Sequence, residues 1–151
     1  MEKHLDVLLV DDDTDDLDLT SAIIQSLCPA IIVHTLTNGM EALACLERLP
    51  DETLPDLLVI DFNMPLLTGA EVLERLAKEE RYDRLFKIVL STGGSHTEIK
   101  RCMKAGATGY FVKGCSLEES ILTVSNILLL CGKSYDQYKP RLANLCRQTG
   151  L

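Results

Sequence analysis

The chain has 151 residues, with 23 Asp and Glu against 15 Lys and Arg, for a formal net charge of −8. That length suits one ordinary domain, and the 46% hydrophobic content suits a packed core. The negative balance disfavours nonspecific nucleic-acid binding, which rests on Lys and Arg neutralising phosphates. Acids at Asp6 and at Asp11 to Asp13 interrupt any early apolar run of the signal-peptide kind. The longest apolar helix candidate, Ile121 to Cys131, is too short and too polar to span a bilayer. A cytoplasmic protein is expected, with neither a membrane nor a nucleic acid as partner.

The first strand is predicted over Leu5 to Val10, ending in Asp11-Asp12-Asp13. Thr14 then reads as an N-cap, with Asp15, Asp16 and Asp18 in the first turn, where negative charge meets the positive end of the helix dipole. Leu17, Ser21, Ile24 and Cys28 recur at helical spacing until Pro29. Ile31 to Leu36, rich in β-branched residues, is the second strand. A helix follows Asn38-Gly39, with Ala42, Leu43, Leu46 and Leu49 on one face, and Pro50 stops it.

Leu57 to Ile60 is the central strand. Four apolar residues in a row read as a strand buried on both faces, and it ends abruptly at Asp61. After Pro65 comes a helix with Val72, Leu73, Leu76 and Ala77 inward, then a charged connection over Glu79 to Arg84. Lys87 to Leu90 is the fourth strand, ending at Ser91-Thr92. Gly93-Gly94-Ser95 opens a helix that buries Ile99, Cys102 and Met103, with Gly106 as its C-cap. Gly109 to Val112 is the fifth strand, ending at Lys113-Gly114. A last helix starts near Ser116 with Leu117, Ile121, Val124, Leu128 and Cys131 as its apolar face.

Strands alternating with helices specify a parallel sheet covered on both faces. Residues 1–131 are expected to form this domain. Residues 132–151 are expected to be a short extension, with Leu142, Leu145 and Cys146 on one small amphipathic helix that packs on the core, mediates a homodimer or frays. The six cysteines include no CxxC and no His at metal-ligand spacing, so they are expected to be small buried hydrophobes or incidental thiols, not zinc ligands or disulfides.

All βα loops of a parallel sheet emerge on one edge. That brings together Asp11 and Asp12, Asp61, Ser91 or Thr92, and Lys113. Taken singly, an acidic run is most often a solvated helix start and a lysine after a strand is most often surface. The convergence of four strand ends is what carries the signal. Crowded carboxylates repel, and a hard cation such as Mg2+ removes that cost while sharing its site with phosphate oxygens. Asp61 is then a carboxylate nucleophile for phosphoryl transfer, with Lys113 and the Ser91 hydroxyl for the phosphate oxygens.

Four stretches carry a resemblance to a known family: Leu8-Leu9-Val10-Asp11-Asp12-Asp13; Asn38-Gly39-Met40-Glu41-Ala42-Leu43; Pro55 to Pro65 with Gly69 beyond; and Ala105 to Lys113. Over roughly Val7 to Leu130 the chain resembles the receiver domain of two-component response regulators, of the stand-alone CheY-like type. The resemblance implies a flavodoxin-like doubly wound (βα)5 parallel sheet of strand order 2-1-3-4-5. It makes Asp61 the phosphoacceptor, and Asp11, Asp12, Asp61 and the Asn63 backbone carbonyl the holders of Mg2+ or Mn2+. Ser91 with Thr92 beside it, Lys113 and Tyr110 become the phosphate-binding and switch residues, and Asp13 begins the helix cap without being a ligand.

The implied function is a single-domain response regulator that accepts a phosphoryl group from a sensor histidine kinase or histidine phosphotransfer protein. It signals to a downstream protein target through a phosphorylation-dependent surface, since no DNA-binding or enzymatic domain follows. The Asp15-Asp16 doublet is similar to that of single-domain regulators serving phytochrome-type or hybrid kinases. The alternative is a degenerate receiver that binds protein without phosphorylation. An enzyme, the aspartate-nucleophile phosphatase, is not expected, because it needs an acid two residues after the nucleophile where this chain has Asn63. Two departures stand out. Gly114 replaces the proline usual after the lysine, so a trans bond or a rearranged loop is expected there. Thr92 stands where the family commonly has a small residue, and is expected to narrow access to the site.

Overall fold

The structure, a computed structural model, describes residues 4–132. Five strands, β1 (Asp6–Val10), β2 (Ile32–Leu36), β3 (Leu57–Ile60), β4 (Phe86–Ser91) and β5 (Gly109–Val112), alternate with five helices. The helices are α1 (Thr14–Leu27), α2 (Gly39–Arg48), α3 (Gly69–Leu76), α4 (His96–Lys104) and α5 (Leu117–Gly132). All strand pairs are parallel, in the order β2-β1-β3-β4-β5. This is the flavodoxin-like doubly wound sheet that the family resemblance implied, and the parallel sheet covered on both faces that the alternating pattern predicted.

The three inner strands are mostly apolar because both of their faces are covered; β3 is apolar throughout, β1 after Asp6, and β4 apart from Lys87 and Ser91. Leu8, Val10, Leu58, Ile60 and Val89 point to one side, where they meet Ala42, Leu43 and Leu46 of α2, Val72, Leu73 and Leu76 of α3 and Cys102 of α4. Val7, Leu9, Leu57, Val59, Ile88 and Leu90 point to the other, against Leu17, Ile23, Ile24 and Leu27 of α1 and Val124, Ile127, Leu128 and Cys131 of α5. β2 and β5 are the sheet edges and are the least buried strands.

The structure corrects several local expectations. Asp13, not Thr14, caps α1: its carboxylate accepts from the backbone N–H groups of Asp15 (3.0 Å) and Asp16 (3.2 Å). Ala77, Met103 and Leu117 are exposed: Ala77 is the C-cap of α3 and Leu117 the first residue of α5, both at helix ends beyond the core, and Met103 lies one position off the buried Cys102. The charged connection holds a 3-10 turn, Glu80–Tyr82, that sinks Tyr82 to 2% exposure. Arg81 lies over that ring at 5.1 Å and pairs with Asp51 at 2.9 Å. Gly106 does follow α4 in the left-handed region, at φ 99°. The expected helix around Leu142, Leu145 and Cys146 lies outside the described residues.

Candidate functional site

The sheet's hydrogen-bond ladder runs one residue past the strand ends and fixes the two buried acids. Asp11 N–H donates to Leu36 O (3.1 Å) and Asp61 N–H to Val10 O (3.0 Å), so both backbones are locked to neighbouring strands. α3 begins directly under Asp61. A Cβ on Gly69 would overlap the Asp61 carbonyl oxygen and lie 3.1 Å from Phe62 Cα, so only glycine lets the helix start there. The helix is capped by Thr68, whose hydroxyl accepts from Glu71 N–H.

Carboxylate oxygens of Asp11, Asp12 and Asp61 all lie within 4.8 Å of one another. Asp11 and Asp61 are buried, while Asp12 is exposed. Asp61 Oδ1 is buried and has no hydrogen-bond partner. Burial pushes the Asp11 carboxyl above the usual aspartate range; hydrogen bonds from Lys113 and the Asp13 N–H oppose this, and the Asp61 charge adds to it. Three clustered carboxylates, one of them with an unsatisfied buried oxygen and with no imidazole or thiolate among them, fit a hard divalent cation of the Mg2+ or Mn2+ kind.

Lys113 brings the site's positive charge. Its Nζ donates to Asp11 Oδ2 (2.7 Å) and Asp16 Oδ2 (2.9 Å) and lies 3.5 Å from Asp61 Oδ2. Burial alone would lower its pKa, but the bonds to Asp11 and Asp16 and the Asp61 charge outweigh that and hold it above the usual lysine range. The backbone at Lys113 is fixed by its N–H donating to Ser91 O at 2.7 Å. Gly114, the departure from the proline pattern, packs against the first turn of α5: a Cβ there would overlap Ser120 N and sit 2.8 Å from Glu119 Cβ. No described peptide bond is cis.

Ser91 ends β4 at 0% exposure, and its Oγ has no partner within hydrogen-bond distance. Thr92 beside it is exposed. Tyr110 sits on β5 paired with Val89, two residues before Val112, the partner of Ser91. Its hydroxyl donates to Gly93 O at 2.6 Å, and burial raises its pKa against a lowering influence from the nearby Ser91 hydroxyl. Asn63 is exposed in the loop after β3, and Leu66 in the same loop is 90% exposed at φ 70°, left-handed for a residue with a side chain. The fold thus gathers Asp11, Asp12, Asp61, Ser91 and Lys113 on one edge. Asp16 was missed at the sequence level. Its sequence signals, a place in the acidic first turn of α1 and in the Asp15-Asp16 doublet, gave no hint of a lysine partner, since dipole complementarity was sufficient reason for an acid there.

A doubly wound sheet that gathers three acids, a lysine and the unsatisfied Asp61 Oδ1 and Ser91 Oγ at the carboxyl ends of β1, β3, β4 and β5 belongs with α/β proteins that bind their ligands at that edge. Comparison with known proteins then fixes the family: residues 7–125 match the response regulator receiver domain, and the chain belongs to that family, the receiver domains of two-component response regulators. It is 30% identical over 128 residues to the two-component response regulator ARR17 of Arabidopsis thaliana, covering 79% of this chain and 82% of that protein. It is 35% identical over 96 residues to the phosphate regulon transcriptional regulatory protein PhoB of Rhizobium meliloti, covering 64% of this chain but only 40% of PhoB. Among solved structures, the phosphorylated cyanobacterial phytochrome response regulator RcpA superposes with a TM-score of 0.76 at 27% identity, covering 83% of this chain and 91% of RcpA.

Proposed function

We propose that this chain is a phosphoacceptor that works as a single-domain response regulator in the cytoplasm. The observation that carries the reading is Asp61. It is a buried carboxylate with one oxygen 3.5 Å from Lys113 Nζ and the other without any partner, beside two further acids. Such an oxygen costs free energy unless a ligand completes it.

In this reading a sensor histidine kinase or histidine phosphotransfer protein presents a phosphohistidine at the sheet edge. Asp61 attacks the phosphorus, an O–P bond forms, the P–N bond breaks, and the imidazole leaves with the electron pair. A Mg2+ or Mn2+ ion held by Asp11, Asp12, Asp61 and the Asn63 carbonyl would supply positive charge against the phosphoryl oxygens. Lys113 and Ser91 bind those oxygens; the buried Ser91 Oγ makes no hydrogen bond by geometry and has only the nearby Tyr110 hydroxyl to compete for it. Tyr110, anchored to Gly93, follows Ser91, and the surface of α4, β5 and α5 presents the result to a downstream protein. The chain turns over no second substrate beyond loss of its own phosphoryl group to water.

Intact mass after incubation with Mg2+ and acetyl phosphate tests this. A phosphate adduct on wild type and none on Asp61→Asn is expected. No adduct on wild type, even though it binds beryllofluoride, would favour a receiver that signals without phosphorylation.

A further inference from the structure

Lys113 has three anionic neighbours, and one of them is outside the metal-type cluster. Asp11 and Asp61 belong to the group of acids close enough to share a cation; Asp16 does not. Asp16 projects from the first turn of α1, whose N-terminus is fixed by the Asp13 cap over the backbone of Asp15 and Asp16. Its Oδ2 holds Lys113 Nζ at 2.9 Å, shorter than the 3.5 Å to Asp61. The Asp16 side chain is 36% exposed and the Lys113 side chain 13%, so this contact sits on the solvent side of a mostly buried ammonium.

The backbone cannot choose between these partners. Lys113 N–H is held by Ser91 O, and the next residue is pressed against the N-terminus of α5. Only rotation of the lysine side chain redistributes its donors. A cation shared by Asp11, Asp12 and Asp61 would neutralise two of the three anions that Lys113 faces. Asp16 alone would keep its full charge and its hold on the ammonium.

Resting on the phosphoacceptor reading above, we propose that Asp16 is a positioning residue that competes with the phosphoryl group for Lys113. In the resting site it draws the ammonium toward α1 and off Asp61. On phosphorylation the phosphoryl oxygens must take the lysine from it. Asp16 therefore weakens the grip of the site on its phosphoryl group and shortens the life of the signal.

The test compares Asp16→Asn with Asp15→Asn, which removes the same charge from the same helix turn without touching Lys113, and with Asp16→Glu. In the metal-free protein, the Lys113 ammonium resonance, assigned through Lys113→Arg, is expected to move in Asp16→Asn and to stay in place in Asp15→Asn. With saturating Mg2+, beryllofluoride is expected to bind Asp16→Asn about threefold tighter or more, the size of one part-exposed charge contact. Asp15→Asn and Asp16→Glu are expected to match wild type. Wild type that binds beryllofluoride with the same or higher affinity than Asp16→Asn overturns the competition. Equal tightening in Asp15→Asn overturns it too, because the effect would then be one of net charge. Wild type that binds no beryllofluoride overturns the phosphoacceptor reading itself, a result distinct from both.

Discussion

The Tyr110 hydroxyl donates to the Gly93 carbonyl at 2.6 Å, tying the edge strand β5 to the loop that carries Ser91 and Thr92 into α4. The ring is part-buried, and burial keeps the phenol protonated and able to donate. Removing the hydroxyl leaves the Gly93 carbonyl to water or to nothing. Tyr110→Phe is expected to lose about 1 kcal/mol of stability in urea denaturation. It is also expected to speed amide exchange across 92–95 while leaving β4 protected. A variant with unchanged loop exchange would mean that packing, not this bond, holds the loop.

The acids give the metal-free protein a definite pH signature. Burial raises Asp11, so between the ordinary aspartate value and its raised folded value the folded chain binds more protons than the unfolded one. Stability therefore falls as pH rises through that window. Lys113 works at the other end: its raised pKa contributes stability that is whole below the ordinary lysine value and is lost only as pH climbs through the folded value. Urea midpoints measured in chelator from acid to neutral pH are expected to decline less for Asp11→Asn than for wild type. Parallel curves would show that Asp11 pays no net burial cost, its bond to Lys113 having cancelled it.

The sheet was legible because its inner strands are buried on both faces. Leu57 to Ile60 reads as an apolar run for the same reason that it is fully buried, and the acid after it marks the edge. The convergence of Asp11, Asp61, Ser91 and Lys113 follows from parallel topology alone. What sequence could not separate were residues with two adequate explanations. Asp13 and Thr14 are both good caps, and only the backbone decides between them. Asp16 suits a helix N-terminus whether or not it meets a lysine 97 residues away. Tyr82 lies among charges that mask its burial, and its neighbour Arg81 covers the ring only because Asp51 and the Leu49 carbonyl, from a distant turn, hold it there.

Gly69 links stability to the site. A methyl group there would overlap the carbonyl of Asp61, and neither the β3 ladder nor the start of α3 has room to retreat. Gly69→Ala is expected to cost about 1–3 kcal/mol, the usual penalty of overpacking. Because the displaced atom is the backbone of Asp61, the phosphate adduct formed from acetyl phosphate should drop out of proportion to the folded fraction measured by circular dichroism. A loss of adduct that only tracked unfolding would show that the Asp61 side chain is placed independently of α3.

Thr92 stands exposed beside the buried Ser91. Its branched side chain is larger than the residue usual at this place in the family. Thr92→Ala is expected to lose its phosphoryl group faster, by about threefold, which is under 1 kcal/mol of barrier. Equal autodephosphorylation rates would remove Thr92 as a gate.

Cation binding should be visible as stability. Asp11, Asp12 and Asp61 repel one another in the metal-free site, and Lys113 relieves only part of that, since its nearest partners are Asp11 and Asp16. A divalent cation relieves the rest and binds only the folded chain. At a hundred times its Kd it should add ~2.7 kcal/mol, or roughly 4 °C in Tm for each kcal/mol at this chain length. Asp12→Asn is expected to abolish most of the Mg2+-induced shift while raising the metal-free Tm, because it removes a repelling charge with no hydrogen bond to lose among the described residues. Lys113→Met is expected to do the reverse on both counts: a lower metal-free Tm, from three uncompensated acids, and a larger Mg2+ shift, because Asp11 is released to the ion. A smaller shift in Lys113→Met would mean that the lysine assembles the acids for the metal, not that it occupies their place.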